Sequence, residues 1–488
     1  MFDSPCMALG DLLGESYVKA VAAASAAMGG AISGDAFDAV DFCPIENQNR
    51  NDALLKLVGQ QVCPPFEEMQ AGAGTDSFGR AFCASAAPLT GFGCFRVGED
   101  GRLYFLGKSE HYHAPLGHRF CGYGLIDKAR KLGIVNPTHN NTRGYVTRLT
   151  EKKLTEATNE KSLDRVINLE TGSLAVEAGI KMMLNRFYRL EGFFGEPKYR
   201  GKIPVFFVMA DQNGGLGANY HGTTVLAQTF RGLWPGFRES AENSGLYKTV
   251  PVKINDIGDF KAKICEYNKG EYKTAGFLHE IILMNYGATR LSREYLSAAY
   301  ELCRETDTPA LVDEIQSCMW FEGMFLFRQY GLVPDFVVLG KGFPGGEYPA
   351  SKIITNAKMD TLSQFGALVT NGQEELASLS YLVTMAFVSA NGREIFRLGE
   401  YFQARLGEIC RKNPHMLTKT EGLGHLAALH FKSVEQAAEF AGKLNARYID
   451  ASAQLYKRDC PPAVLLKPPI ISSEAAMDFI ADTIEELM

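Results

Sequence analysis

A chain of 488 residues, at roughly 100–200 residues per domain, has room for two or three domains and a large core. Its 46% hydrophobic and 22% charged residues exclude a disordered chain. The net charge of −6, from 50 Lys and Arg against 56 Asp and Glu without long runs of one sign, gives no nucleic-acid footprint.

No apolar run approaches the roughly 18 residues of a membrane span, so neither nucleic acid nor membrane is expected as a partner. The 11 cysteines are odd in number and form no Cys-x-x-Cys pair, while Asp3, Asp11 and Glu15 precede the Ala-rich stretch near the start. A cytoplasmic protein without a secretory leader, disulfide framework or zinc ribbon is expected.

Residues 1–88 alternate helical patches with breaks such as Cys63-Pro64-Pro65, and no chemistry attaches to them. Cys94-Phe95-Arg96-Val97 and Leu103-Tyr104-Phe105-Leu106, placed around Glu99-Asp100-Gly101, predict a hairpin. Apolar residues at helical spacing predict helix over 163–190 and 291–304. Short continuous apolar runs predict strands at 204–209, 309–312 and 336–339, with another inside 274–283. This alternation predicts an α/β fold with a mostly parallel sheet covered on both faces. From about 373 the pattern turns helical again, and an apolar stretch over 464–471 precedes a last amphipathic helix.

Ligands of open parallel sheets bind beyond the carboxyl ends of the strands. Three segments stand there. In Val312-Asp313-Glu314-Ile315-Gln316 a strand runs into two carboxylates, which suit a buried charge partner or, equally, a helix cap. In Leu339-Gly340-Lys341-Gly342, followed by Gly345-Gly346, a lysine sits between glycines, as a confined nucleophile or as a loop lysine in water; the glycines suggest that something large approaches the backbone. Glu170-Thr171-Gly172-Ser173 opens a helix, where free amides and hydroxyls suit a phosphate or a plain N-cap. A lysine for an aldehyde, a helix start for a phosphate and an acid for a ring nitrogen are together the handles of pyridoxal 5′-phosphate.

At these residues the chain resembles the class III, fold type I aminotransferases that use this cofactor. Besides the three segments, Leu116-Gly117-His118, Tyr220-His221-Gly222, Glu280, Thr370-Asn371-Gly372 and Pro468-Pro469-Ile470 match the family pattern in order. The resemblance implies that Lys341 forms an aldimine with the cofactor and shuttles protons, while Asp313 pairs the ring nitrogen. Tyr220 and His221 would lie at the ring, Gln316 near its phenolic oxygen, and Thr171, Gly172 and Ser173 at the phosphate. Thr370 would reach the phosphate from a second subunit, which implies a homodimer with shared sites. Residues 151–372 would form the large cofactor-binding domain, and 373–488 the small domain. Residues 89–150 would be the upstream part of that small domain, and 1–88 an extension.

Glu280, His111 and His113 would line the pocket of an amine or amino-acid substrate. His111 and His113 alternate without a third ligand, so a metal is not expected. The glycines of the segment from Asp211 to Asn219 do not continue as a dinucleotide fingerprint, and it reads as a turn or active-site loop.

The sequence departs from the family where substrate is gripped. Leu465-Leu466-Lys467 stands where many members carry an arginine for a carboxylate, and Ser317-Cys318-Met319-Trp320-Phe321-Glu322-Gly323 replaces a Gly- and Arg-containing stretch. Transamination is the expected reaction. Racemisation, decarboxylation, elimination or carbon–carbon bond formation on the same cofactor is the alternative, and an inactive binding protein is disfavoured by the retention of both Lys341 and Asp313.

Overall fold

The apolar runs of the middle of the chain pair into one seven-stranded sheet in a computed structural model that describes residues 1–67, 72–75, 86–108, 114–137, 142–190, 195–454 and 460–488. Ahead of it lie helix α1 (Glu15–Ala27), a three-stranded antiparallel sheet of β1 (Pro88–Phe92), β2 (Phe95–Gly98) and β3 (Leu103–Phe105), and helices α2 (Gly124–Leu132) and α3 (Tyr145–Thr158). The large sheet comprises β4 (Arg165–Leu169), β5 (Ile203–Met209), β6 (Lys248–Val252), β7 (Tyr272–His279), β8 (Ala310–Asp313), β9 (Phe336–Leu339) and β10 (Ser351–Thr355). Helices α4 (Gly172–Leu184), α5 (Ile257–Glu266) and α6 (Arg293–Glu305) follow β4, β6 and β7. After the long α7 (Glu375–Lys412) come β11 (Leu417–Leu423), β12 (Leu426–Phe431), α8 (Val434–Ala446), β13 (Ser452–Ala453), β14 (Ala463–Leu466) and α9 (Glu474–Leu487).

The strand order is β4-β10-β9-β8-β7-β5-β6. Neighbours from β9 to β6 run parallel, and β10 alone is antiparallel to both of its partners. Strand alternation divides the side chains between two cores. Phe207, Met209 and Phe277 face a core shared with α5 and α6, while Phe206, Val208, Leu278 and Val338 pack with α4 on the other face. A third core lies between the four-stranded sheet β11-β12-β14-β13, the second half of α7 and α9, and it takes in Phe95, Leu103 and Phe105 from upstream. The buried Arg96 grips Asp450 with two bonds, Nε to Oδ2 at 2.7 Å and Nη2 to Oδ1 at 2.8 Å, tying β2 to the C-terminal part. Near the start of the chain, Phe2, Leu9, Leu13 and Val18 enter the largest core, and Asp3 exchanges two hydrogen bonds with Asn391 of α7.

The helix expected over 163–190 is two elements. Val166, Ile167 and Leu169 lie in β4 against β10, and helix begins only at Gly172, because Thr171 takes an extended backbone (φ −136°, ψ 151°) and accepts the Leu174 amide as N-cap. The helical pattern expected from about 373 holds for α7 and α8 but is interrupted by the β11–β12 hairpin, where β11 is an edge strand with the polar centre Thr418-Lys419-Thr420-Glu421 and β12 is a fully buried six-residue, mostly apolar run. Among the described residues no helix is long and apolar enough to cross a membrane.

Candidate active site

Five strand ends deliver polar groups to one edge of the sheet. Asp313 closes β8, Lys341 follows β9, Glu280 follows β7, Thr171 follows β4, and the segment before the reversed β10 reaches the same edge from the other direction. Together they enclose a cavity of about 1040 Å³. Its walls include Lys341, Asp313, Thr171, Gly172, Ser173, Tyr220, Gln316 and Glu280, so eight of the residues selected from sequence meet in one space.

Asp313 and Glu314 point to opposite sides, as consecutive residues of an extended strand must. Asp313, 3% exposed, turns to the cavity; its Oδ1 accepts the Ile315 amide at 3.1 Å and its Oδ2 contacts His221 Nδ1 at 3.0 Å. Glu314 turns away and accepts the Phe327 amide at 2.6 Å and the Ser317 hydroxyl. Burial pushes its carboxyl up to about 7.

Lys341 holds a left-handed backbone at φ 53°, an uncommon conformation for a residue with a side chain and one that structures concentrate at functional sites. The glycines around it are approached by the protein itself. A Cβ on Gly342 would stand 2.7 Å from the Pro115 ring, and one on Gly345 would overlap the phenol of Tyr123. The large neighbour inferred from these glycines is therefore protein side chain.

At the start of α4, a Cβ on Gly172 would lie 2.4 Å from Ile315 Cδ1, so the helix start packs closely against the turn that follows Asp313. Ser173 Oγ accepts the Thr223 amide at 3.0 Å, which joins the helix start to the loop after Tyr220. Thr171 takes the Leu174 amide, which leaves the Gly172 and Ser173 amides without a partner in the helix and, with the dipole behind them, suited to an anion. Tyr220 presents its ring with the Arg231 guanidinium 4.9 Å from the centroid.

Four predicted residues are not among those that line the cavity. His221, read as cofactor-binding, is buried behind Asp313 and is not among the cavity-lining residues; its Nε2 has no hydrogen-bond partner among the described residues. Thr370 is exposed and does not line the cavity of its own chain. His111 and His113 lie outside the described residues. Among the described residues no group of His, Cys, Asp or Glu is arranged for a metal ion. The loop from Asp211 closes on itself, with the Asp211 carboxylate accepting the amides of Asn213, Gly215 and Gly217. Sequence reasoning missed Lys108, Arg231 and Tyr348, which line the cavity from loops that carry no motif.

The profile of the family described as Aminotransferase class-III matches residues 90–488. The chain belongs to the class III aminotransferases. An ornithine aminotransferase from Exiguobacterium sp. is 27% identical over 337 residues, 66% of this chain and 74% of that protein. An acetylornithine aminotransferase from Aquifex aeolicus is 25% identical over 393 residues, 78% and 93% of the two chains. The fold is that of the ornithine aminotransferase from Toxoplasma gondii ME49, at a TM-score of 0.66 with 19% identity over 85% of this chain and 95% of that one. This aminotransferase is thus a transferase that uses pyridoxal 5′-phosphate and acts on an amino acid or amine.

The aminotransferase cavity fits that cofactor. A carboxylate, a lysine, an aromatic ring and a helix start with two hydroxyls surround one space, which is the donor and acceptor set that the cofactor's ring nitrogen, aldehyde, ring face and phosphate require. The place of the family arginine has become core, since Leu465 and Leu466 of β14 are fully buried in the large and small cores respectively.

Proposed function

We propose that this chain transfers the amino group of an amino acid or amine with Lys341 as the cofactor-bearing residue, that two copies share each site, and that it acts in the cytoplasm. The observation that carries the reading is the convergence of Lys341, Asp313 and the Thr171–Gly172–Ser173 helix start on one cavity. When bound, pyridoxal 5′-phosphate supplies an aldehyde that condenses with amines and a ring that takes up the electron pair released at the substrate carbon. Lys341 Nζ would hold the aldehyde at rest and would serve as the base for the proton at the substrate carbon. Asp313 holds the proton on the ring nitrogen, oriented from behind by His221. Gly172 and Ser173 would hold the phosphate through amides and hydroxyl, and Tyr220 would cover the ring and exclude water from it.

The exposed position of Thr370 supports the shared site, because the residue does not line its own cavity and its side chain is accessible to a second copy. The Arg96–Asp450 pair supports grouping 89–150 with 373–488 as the smaller domain around the cofactor domain 151–372.

The test is direct. The purified protein is expected to be yellow, borohydride reduction is expected to fix the cofactor to the peptide containing Lys341, and K341A is expected to lose that fixation. An amine donor without acceptor should bleach the visible band, and a keto acid should restore it. A protein that binds no cofactor defeats the reading, and one that releases product without ever bleaching is not a transaminase.

A further inference from the structure

The two stretches in which the sequence departs from the family pattern, 317–323 and 465–467, meet behind the cavity. Lys467 is 1% exposed. Its Nζ donates to the Gln316 backbone carbonyl at 2.8 Å and to the Gln316 side-chain oxygen at 3.0 Å, and it lies 4.7 Å from the centroid of the Trp320 ring. A buried ammonium is costly unless it is hydrogen-bonded and paired, and here two carbonyl oxygens and an aromatic face receive it. The Lys467 amide also donates to the Gly107 carbonyl at 2.7 Å, which fixes the backbone from which the side chain departs. His425, with its ring 5.8 Å from Trp320, is pushed down to about 4 by burial, so it stays neutral at physiological pH and adds no opposing charge.

A lysine has only donors to give. The amide oxygen of Gln316 must therefore face Lys467, and the NH2 group must face away from it. Gln316 also lines the cavity beside Asp313 and Lys341. We propose that Lys467 is a positioning residue that locks the Gln316 amide with its NH2 group toward the cavity, as a donor to the phenolic oxygen of the cofactor ring. Trp320 completes the unit by supplying the apolar wall that keeps the ammonium on Gln316. The inference rests on the proposed function.

The experiment titrates the visible band of the cofactor-loaded protein with pH. In K467M the midpoint is expected to rise by about one pH unit, because a donor held toward the phenolic oxygen favours the deprotonated, more negative form of the chromophore and the freed amide no longer keeps that orientation. In a Q316A background the same substitution is expected to move the midpoint by no more than about 0.3 unit, since Lys467 acts through the amide. If K467M does not fold, W320L, which loosens the ammonium without removing it, should shift the midpoint in the same direction by less. An unshifted midpoint in a folded variant, or a full shift that survives Q316A, overturns the inference. A wild-type protein with no visible band overturns the proposed function itself and is distinguished by that readout.

Discussion

Replacing Asp313 by Asn tests the site with the smallest change of shape. The amide keeps an oxygen for the Ile315 amide now bound at 3.1 Å, so the turn after β8 should survive. At the other position an NH2 group replaces the oxygen that faces His221 at 3.0 Å, and the negative charge that would hold the ring nitrogen's proton is lost. The loss is one charge-assisted hydrogen bond, about 1.5–3 kcal/mol, which at about 1.36 kcal/mol per decade is about 10- to 150-fold in rate. The assay is a stopped-flow half-reaction with an amine donor and no acceptor, following the visible band, beside circular dichroism and a thermal midpoint. Folded D313N that reacts within about three-fold of wild type refutes the assignment of Asp313 to the ring nitrogen.

T370A is expected to weaken cofactor binding about ten-fold, the worth of one bond to a charged group, with the dimer intact by ultracentrifugation; a monomeric wild-type protein that is fully active refutes the shared site. Glu314 carries a folded-state carboxyl raised from 4.5 to about 7, so the folded protein holds a proton that the unfolded chain releases, and stability should fall as pH rises from 4.5 to about 7. E314Q should flatten that slope in urea melts taken across the range, and an unchanged slope refutes the assignment. R96M leaves the Asp450 carboxylate buried without its partner and is expected to cost about 3–5 kcal/mol by denaturant unfolding.

Lys341 and Asp313 are legible in the sequence because each follows a short, wholly apolar strand, and in a parallel sheet that position faces the ligand edge. The helix start at Gly172 is legible for a similar reason, since a hydroxyl and glycine cluster has few other uses there. His221 is legible as a site residue from its place beside Tyr220, but its contact with Asp313 is not, because the two meet across 92 residues. The glycines around Lys341 predict a crowded backbone correctly but cannot name Pro115 and Tyr123 as the crowding groups. Arg231, Lys108 and Tyr348 arrive on loops whose approach depends on the whole sheet, and no local pattern encodes it. The substrate arginine is the reverse case: its absence is plain at Leu465, but only the packing of β14 shows that two cores have absorbed the site.

The reversed strand β10 sets the order in which such a molecule can assemble. β4 leads into the helix start proposed to hold the phosphate and lies at the edge of the sheet, where its bonded neighbour is β10, from Ser351↔Leu169 to Thr355↔Arg165. On the ribosome the first half of the site must therefore wait for a strand nearly two hundred residues downstream before it can join the half that carries Asp313 and Lys341. Closing so long a loop is slow, and until it closes the edges of β4 and β9 remain unpaired and prone to aggregation. The cofactor recognises only the finished arrangement, so during refolding its colour would report insertion of the last strand, and an excess of cofactor would draw the chain toward that end point by mass action.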